Sequence, residues 1–507
     1  MLLLINLIFI STPMMKKIKM GFFLSLFLVL SCTKDDDVTI PDTVDPDPSA
    51  GVHVQDFMWK AMNFWYFWQA DVENLADTKF PNTAEGSKEY TEFLAAEPDP
   101  GKFFDDKLLF IEDRFSFYSD DYVELTQSLS GISKSNGLMF GLVRIQGSNE
   151  LFGYVQYIVP NSDASKKNIE RGDLFTGVNG TTLTDANYVT LLFGENDTYT
   201  LNMASIVEGE IQPNNNEVVL TKEIGLQENP IFLDEIIETG GKKIGYLVYT
   251  GFTNEYDEEL NAAFGRFKSG GVTDLVLDLR YNPGGSVNTA VLLSSMIYDT
   301  NTKDVFLKAR YNTKYQKILE DRDTDLRQFF ADKTGKGTAI NSLKLKKVYV
   351  LTTTGTASAS ELVINGLVPY IDVVQIGEPT RGKNEFSVTM VDDRDNNYLY
   401  SPARVGKIST KNRWAIQPLL GRNENAEGFS DYTAGLAPDI ELQEDLENLG
   451  VLGDLNEPLL ARALGQITGT SAKREFSVKM PANTMTSSKM HTPIKDNMYV
   501  TELPVIW

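Results

Sequence analysis

One cysteine and two histidines are all that 507 residues contain of the commonest metal-binding and redox side chains. The lone Cys32 excludes an internal disulfide framework, a Cys-based zinc site and a dithiol redox pair. His53 lies in an aromatic N-terminal segment and His491 in the far C-terminal tail. A hydrolase built on this chain is therefore expected to use a base other than histidine. Positive charge is also scarce, since 47 Lys and Arg face 70 Asp and Glu, for a formal net charge of −23 without any basic block. That balance argues against nucleic acid and anionic lipid surfaces as partners. No metal cluster or nucleotide loop is legible, so neither metal nor cofactor is expected.

What is present is a chain long enough for about three domains, with 42% hydrophobic and 11% aromatic residues to fill their cores. The stretch "MKKIKMGFFLSLFLVLSC" has a Lys-rich start, an apolar run of signal-peptide length and a small residue before Cys32. It resembles a bacterial lipoprotein signal with a loose lipobox at Val29-Leu30-Ser31-Cys32; a short membrane anchor or an uncleaved signal is the alternative. After it, "TKDDDVTIPDTVDPDPSAG" is acidic, Pro-rich and aperiodic, as a flexible tether should be. The acidic run after the cysteine also resembles signals that send some lipoproteins to the outer surface of Gram-negative cells. The expected location is the cell envelope, as an outer-membrane lipoprotein facing the periplasm or the exterior.

Residues 52–128 read as an N-terminal helical domain. Phe57, Ala61, Phe64, Trp65 and Trp68 recur at helical spacing, which fits a core stripe better than a ligand platform. Residues 129–225 change to short β segments. There Val159-Pro160-Asn161-Ser162-Asp163-Ala164, Arg171-Gly172-Asp173-Leu174 and Val178-Asn179-Gly180 resemble a PDZ domain, and Asn179-Gly180 is a tight-turn signal between strands. The resemblance implies a sheet edge open to a peptide strand. It also places a carboxylate-binding loop at "GLMFG", with Leu138, Phe140 and Gly141 as substrate-binding residues; a small β-barrel without a peptide role is the alternative. Residues 226–467 alternate strands and helices, the pattern of an α/β core, and 468–507 form a tail without a readable motif.

The chemistry concentrates where the apolar strand "KKVYVLTTTG" runs into "GTASASELVINGL". Taken alone, these hydroxyls could be helix N-caps or could include a nucleophile, Ser358 or Ser360. A strand, a turn with a serine, then a helix exposes a hydroxyl near a helix N-terminus that favours developing negative charge. With no histidine nearby, lysine becomes the candidate base, and Lys383 follows in the punctuated loop "GEPTRGK".

"DLRYNPGG", "GTASASELVINGL" and "GEPTRGK" together resemble the signature segments of S41 serine peptidases of the C-terminal processing type, in order, over roughly residues 130 to 445. The resemblance implies a multidomain α/β protein whose nucleophile is Ser358 and whose base is Lys383, 25 positions later. It implies oxyanion donors from Ala359 and from a glycine of the Gly284-Gly285 turn, and a structural Ser360. The family usually has an orienting Gln four residues after the lysine; here that position is Ser387. For the lysine to act as a base, burial must lower its pKa in a dry site free of carboxylates. Expected partners are polypeptide substrates, held through their C-terminal tails, and a membrane through the lipid on Cys32. A non-catalytic envelope binding protein on the same fold and a hydrolase of non-peptide esters or amides are the competing readings.

Overall fold

The unbroken apolar runs end up side by side. In the computed structural model, which describes residues 51–470 and 477–504, five strands lie parallel in the order Lys242–Tyr249, Asp274–Asp278, Lys347–Thr352, Asp372–Gly377 and Ile440–Glu441. Ile231–Thr239 adds antiparallel at one edge through a hairpin. Parallel strands need crossovers that cover both faces of the sheet, so their residues are apolar on both sides. On one face Tyr246, Val276, Leu351 and Ile376 pack against Leu459, Leu460, Ala463 and Leu464 of the helix Pro458–Thr468. Leu247, Leu277 and Val350 alternate with these along the strands and are equally buried. The helices Asp257–Gly270, Val287–Ile297 and Ala359–Leu367 pack on one another in sequence order.

The segment expected to be helical through residue 128 is so only in part. His53–Trp65, Ala84–Ala95 and Tyr122–Leu129 are helices, but Phe117–Ser119 is a strand paired antiparallel with Ala415–Gln417. Phe57, Ala61, Phe64 and Trp65 are buried, as a core stripe requires, and Trp68 is half-buried. Asn312 Nδ2 donates to the carbonyls of Phe64 and Tyr66 at 2.7 and 3.0 Å, tying the helix end to the α/β core.

Between residues 129 and 225, Leu138–Arg144, Leu151–Ile158, Leu174–Val178, Thr198–Val207 and Glu210–Thr221 form an antiparallel sheet. Asn179 and Gly180 have φ of 52° and 76° and turn Leu174–Val178 into Thr181–Thr182, as their type predicts. The edge expected to be open is filled. Thr484–Ser487 from the tail pairs antiparallel with Leu138–Arg144, and Ser488 Oγ accepts from Phe140 N at 3.1 Å. A bare edge leaves a row of unpaired backbone groups, which the chain here satisfies with its own C-terminal segment. Leu138 and Phe140 are correspondingly core residues, each 2% exposed, and the Tyr154 ring lies directly against Gly141.

The tail also carries Met498–Tyr499, a short strand running parallel to Gly285–Ser286 on one side and to Glu385–Ser387 on the other. The export signal, Cys32 and the acidic tether lie outside the described residues. Among the described residues no helix is long and apolar enough to cross a membrane.

Candidate active site

The strand Lys347–Thr352 ends in a turn whose hydroxyls have divided roles. Thr356 Oγ1 donates to Leu279 O at 2.8 Å and Ser360 Oγ to Asn282 O at 3.1 Å, so both fasten this turn to the neighbouring 279–285 turn. Ala357 N adds a bond to Asn282 O at 3.1 Å. Ser358 differs from all of them. Its φ of 66° and ψ of −116° fall in a region that non-glycine residues seldom adopt, and its buried Oγ, set as a helix cap towards Glu361 N, makes no hydrogen bond of normal geometry. A strained serine at a strand-to-helix turn with an uncommitted hydroxyl is the geometry of a nucleophile elbow.

Gly284 and Gly285, with φ of 112° and 132°, bring a second turn against this one. A β-carbon on Gly284 would stand 2.5 Å from Ser358 Cβ, 2.7 Å from its Oγ and 3.0 Å from Ala359 N. Glycine thus lets this turn close directly onto the hydroxyl and the first backbone N–H of the helix. Gly284 N itself donates to Asn282 Oδ1 at 2.9 Å. Behind the turn, Arg280 is wholly buried among Asp278, Glu457 and Glu444, at 2.8, 2.7 and 3.2 Å. This saturated network anchors the end of strand Asp274–Asp278 where the glycine turn begins.

Lys383 is fully buried, with its amine 4.9 Å from the centre of the Phe115 ring. Desolvation holds its pKa below the ordinary lysine value, opposed by Asp496, Glu385, Asp113 and Glu361. The site is dry as expected but not free of carboxylates. Each is engaged: Glu385 by Arg422 at 2.8 Å, Asp496 by Arg381 at 3.4 Å, and Asp113 by the Tyr66 hydroxyl at 2.6 Å. The Lys383 amine donates to Asn497 Oδ1 at 3.3 Å and is not bonded to Ser358 Oγ.

Glu361 does more than face the helix dipole. Its Oε2 accepts from Ser358 N at 2.7 Å and from Lys383 N at 2.9 Å, and its Oε1 from Gly382 N at 2.6 Å and from the Thr380 hydroxyl. One buried carboxylate thus fixes the backbones of both candidate catalytic residues. Ser387 is near the lysine without touching it. Its Oγ lies 2.7 Å from Gln417 Oε1, 2.8 Å from Asn497 Oδ1 and 3.2 Å from Met498 O.

A cavity of about 320 Å³ runs from Leu138, Phe140 and Phe193 to Gly284, Gly285 and Asn497. His491 lines it, stacked 4.0 Å from Phe193, while Ser358 and Lys383 are not on its wall. Leu138 and Phe140 therefore share a cavity with the glycine turn, although most of their surface serves the core. Sequence reading missed Asn497, Gln417 and Phe115, because nothing in the pattern of those segments marks side chains that only folding brings to the lysine.

Residues 243–417 match the model for peptidase family S41, and residues 53–117 match that for the peptidase S41 N-terminal domain. These two matched segments resemble an S41 peptidase domain and that family's N-terminal domain. A solved chain from Bacteroides fragilis NCTC 9343, described provisionally as an S41 protease, is similar at 28% identity and a TM-score of 0.59, covering 81% of this chain and 97% of that one. A probable CtpA-like serine protease of Staphylococcus aureus strain COL is 27% identical over 182 residues, 34% of this chain. One of Staphylococcus haemolyticus is 27% identical over 168 residues, 33% of this chain and 30% of its own. The match spans about a third of the length of these curated relatives.

Proposed function

We propose that this chain is a serine endopeptidase of the cell envelope that cleaves polypeptides through Ser358 and Lys383. The observation that carries the reading is the close approach of the Gly284 turn to the uncommitted Ser358 Oγ and to Ala359 N. A peptide carbonyl admitted between the two turns would meet a nucleophile and a backbone donor together. Ser358 attacks the carbonyl carbon and Lys383, whose pKa burial lowers, takes the hydroxyl proton in its neutral form. The developing oxyanion is held by Ala359 N–H and by a glycine of the Gly284-Gly285 turn. Lys383 then gives its proton to the departing amine, and a water molecule hydrolyses the acyl-enzyme with the same lysine as base. Lys383 and Ser358 are not bonded to each other in this resting arrangement, and the pair has to tighten when substrate binds, as apo sites often require.

The remaining parts of the reading concern delivery. Residues 129–225 form a PDZ-like domain that guides substrate tails, supported by the cavity joining Leu138 and Phe140 to the glycine turn. Residues 1–31 are an export signal, Cys32 bears lipid, 32–51 are a tether, and 52–128 are the N-terminal helical domain. The peptidase core occupies 226–467, and 468–507 form a tail that reaches both the sheet edge and the lysine. Incubating fluorescein-labelled casein with wild type, Ser358→Ala and Lys383→Ala tests the proposal. Cleavage by wild type alone supports it, equal cleavage by Ser358→Ala refutes Ser358 as nucleophile, and no cleavage by any of the three selects a non-catalytic binding protein.

A further inference from the structure

The position four residues after Lys383 holds a serine whose hydroxyl makes no bond to the amine. Ser387 Oγ has one hydrogen and three acceptor oxygens within reach, on Gln417, Asn497 and Met498. The oxygen that does receive the Lys383 amine comes from the opposite end of the sequence, 114 positions away: Asn497 Oδ1, at 3.3 Å. This is not a side chain that happens to lie nearby. Asn497 is buried and leads directly into Met498–Tyr499, the strand wedged between Gly285–Ser286 and Ser387. Val500 N donates to Ser387 O at 3.0 Å, and the Tyr499 hydroxyl donates to Asn254 Oδ1 at 3.2 Å, fixing the strand in register. Ser387 Oγ lies 2.8 Å from the same oxygen, one of three acceptors for its single hydrogen.

We propose that Asn497 is the positioning residue for Lys383, delivered by the C-terminal strand to do what the residue at 387 does not. The inference rests on Ser358 and Lys383 being the catalytic pair. Its chemistry suits the task. A neutral amine has two hydrogens and one lone pair, so giving one hydrogen to a fixed acceptor constrains where the lone pair points. An amide oxygen does this without placing a full negative charge beside the base, as a carboxylate would.

The test compares wild type, Asn497→Ala, Asn497→Asp, Ser358→Ala, Ser387→Gln and the double variant Asn497→Ala/Ser387→Gln. Casein cleavage is read across pH, Ser358 labelling by a fluorophosphonate is read in parallel, and thermal melting checks the fold. Asn497→Ala should lower kcat about 100-fold with KM little changed. Its alkaline-rising limb should move to lower pH, because the ammonium form loses an acceptor, whereas in the isosteric Asn497→Asp it should move to higher pH. Ser387→Gln alone should lower activity by crowding Asn497, yet in the Asn497→Ala background the longer amide should recover at least tenfold of the loss. A limb unmoved in both single variants, or a rise in activity in Asn497→Ala that marks the tail as a blocking segment, overturns the proposal. If wild type and Ser358→Ala are equally inactive and equally unlabelled, the catalytic pair itself is refuted, and the role of Asn497 falls with it.

Discussion

Gly284 and Ser358 are so close that a β-carbon on the glycine would stand 2.7 Å from the serine hydroxyl. Gly284→Ala should therefore push against the Ser358 side chain and Ala359 N, and should strain a backbone held at φ 112°. The expected result is loss of casein cleavage by more than about 100-fold, with a destabilisation of about 1–3 kcal/mol measured by thermal or urea unfolding. Cleavage at the wild-type rate would refute the placement of the substrate carbonyl beside Gly284.

Lys383 offers a pH prediction with a definite sign. Burial lowers its pKa from 10.5, so in the native state the amine sheds its proton at a pH where the unfolded chain still keeps it. Between the lowered value and 10.5 the unfolded state binds more protons, and the stability due to this group rises with pH. Lys383→Met should abolish turnover yet melt above wild type at pH 7, with the gap narrowing towards pH 10.5. Cleavage by wild type should rise with pH, with a midpoint below 10.5.

Glu361 carries the opposite slope. Burial pushes its pKa up to about 7 from 4.5, so the folded protein retains a proton that the unfolded chain has lost, and this group's contribution falls as pH climbs through that window. Glu361→Gln should flatten that slope. It also turns an amide NH2 towards backbone N–H donors, at a cost of roughly 2 kcal/mol or more, and should slow Ser358 labelling because the backbones of both candidate catalytic residues hang on this carboxylate.

Phe140 distinguishes a pocket wall from a core residue. Its ring packs edge-on against Phe175 at 5.3 Å and lies 2% exposed. Phe140→Asp should destabilise the sheet by about 3 kcal/mol or more. Turnover of casein and of a short peptide substrate should then fall together. Selective loss on substrates with apolar C-terminal residues would instead restore Phe140 as a specificity residue.

If Cys32 carries lipid, Cys32→Ser should shift the protein from the membrane fraction to the soluble or unprocessed pool, since an acyl anchor supplies the membrane affinity. Fractionation and immunoblotting read the outcome; unchanged membrane association with normal processing would contradict the anchor.

Local pattern determined a good deal of this protein. The apolar runs before Asp278 and Thr352 had to be buried parallel strands, and "GTASASELVINGL" had to be a turn entering a helix, because periodicity and small hydroxyl residues act over a few neighbours. Asn179-Gly180 specified its own turn for the same reason. The aromatic stripe of the first helix was legible as core from its spacing alone.

What only the tertiary structure decided involves partners distant in sequence. That Ser358 adopts a strained backbone with a free hydroxyl depends on the Asn282 carbonyl holding Ala357 and Ser360 on either side of it. That Lys383 faces an amide oxygen depends on residues 497–500 inserting between two strands more than 100 positions upstream, and a two-residue strand is too short to declare itself by periodicity. The closed edge at Leu138–Arg144 has the same cause: an edge strand's unpaired backbone groups carry no mark of which segment will satisfy them, so the occupant is chosen by the fold.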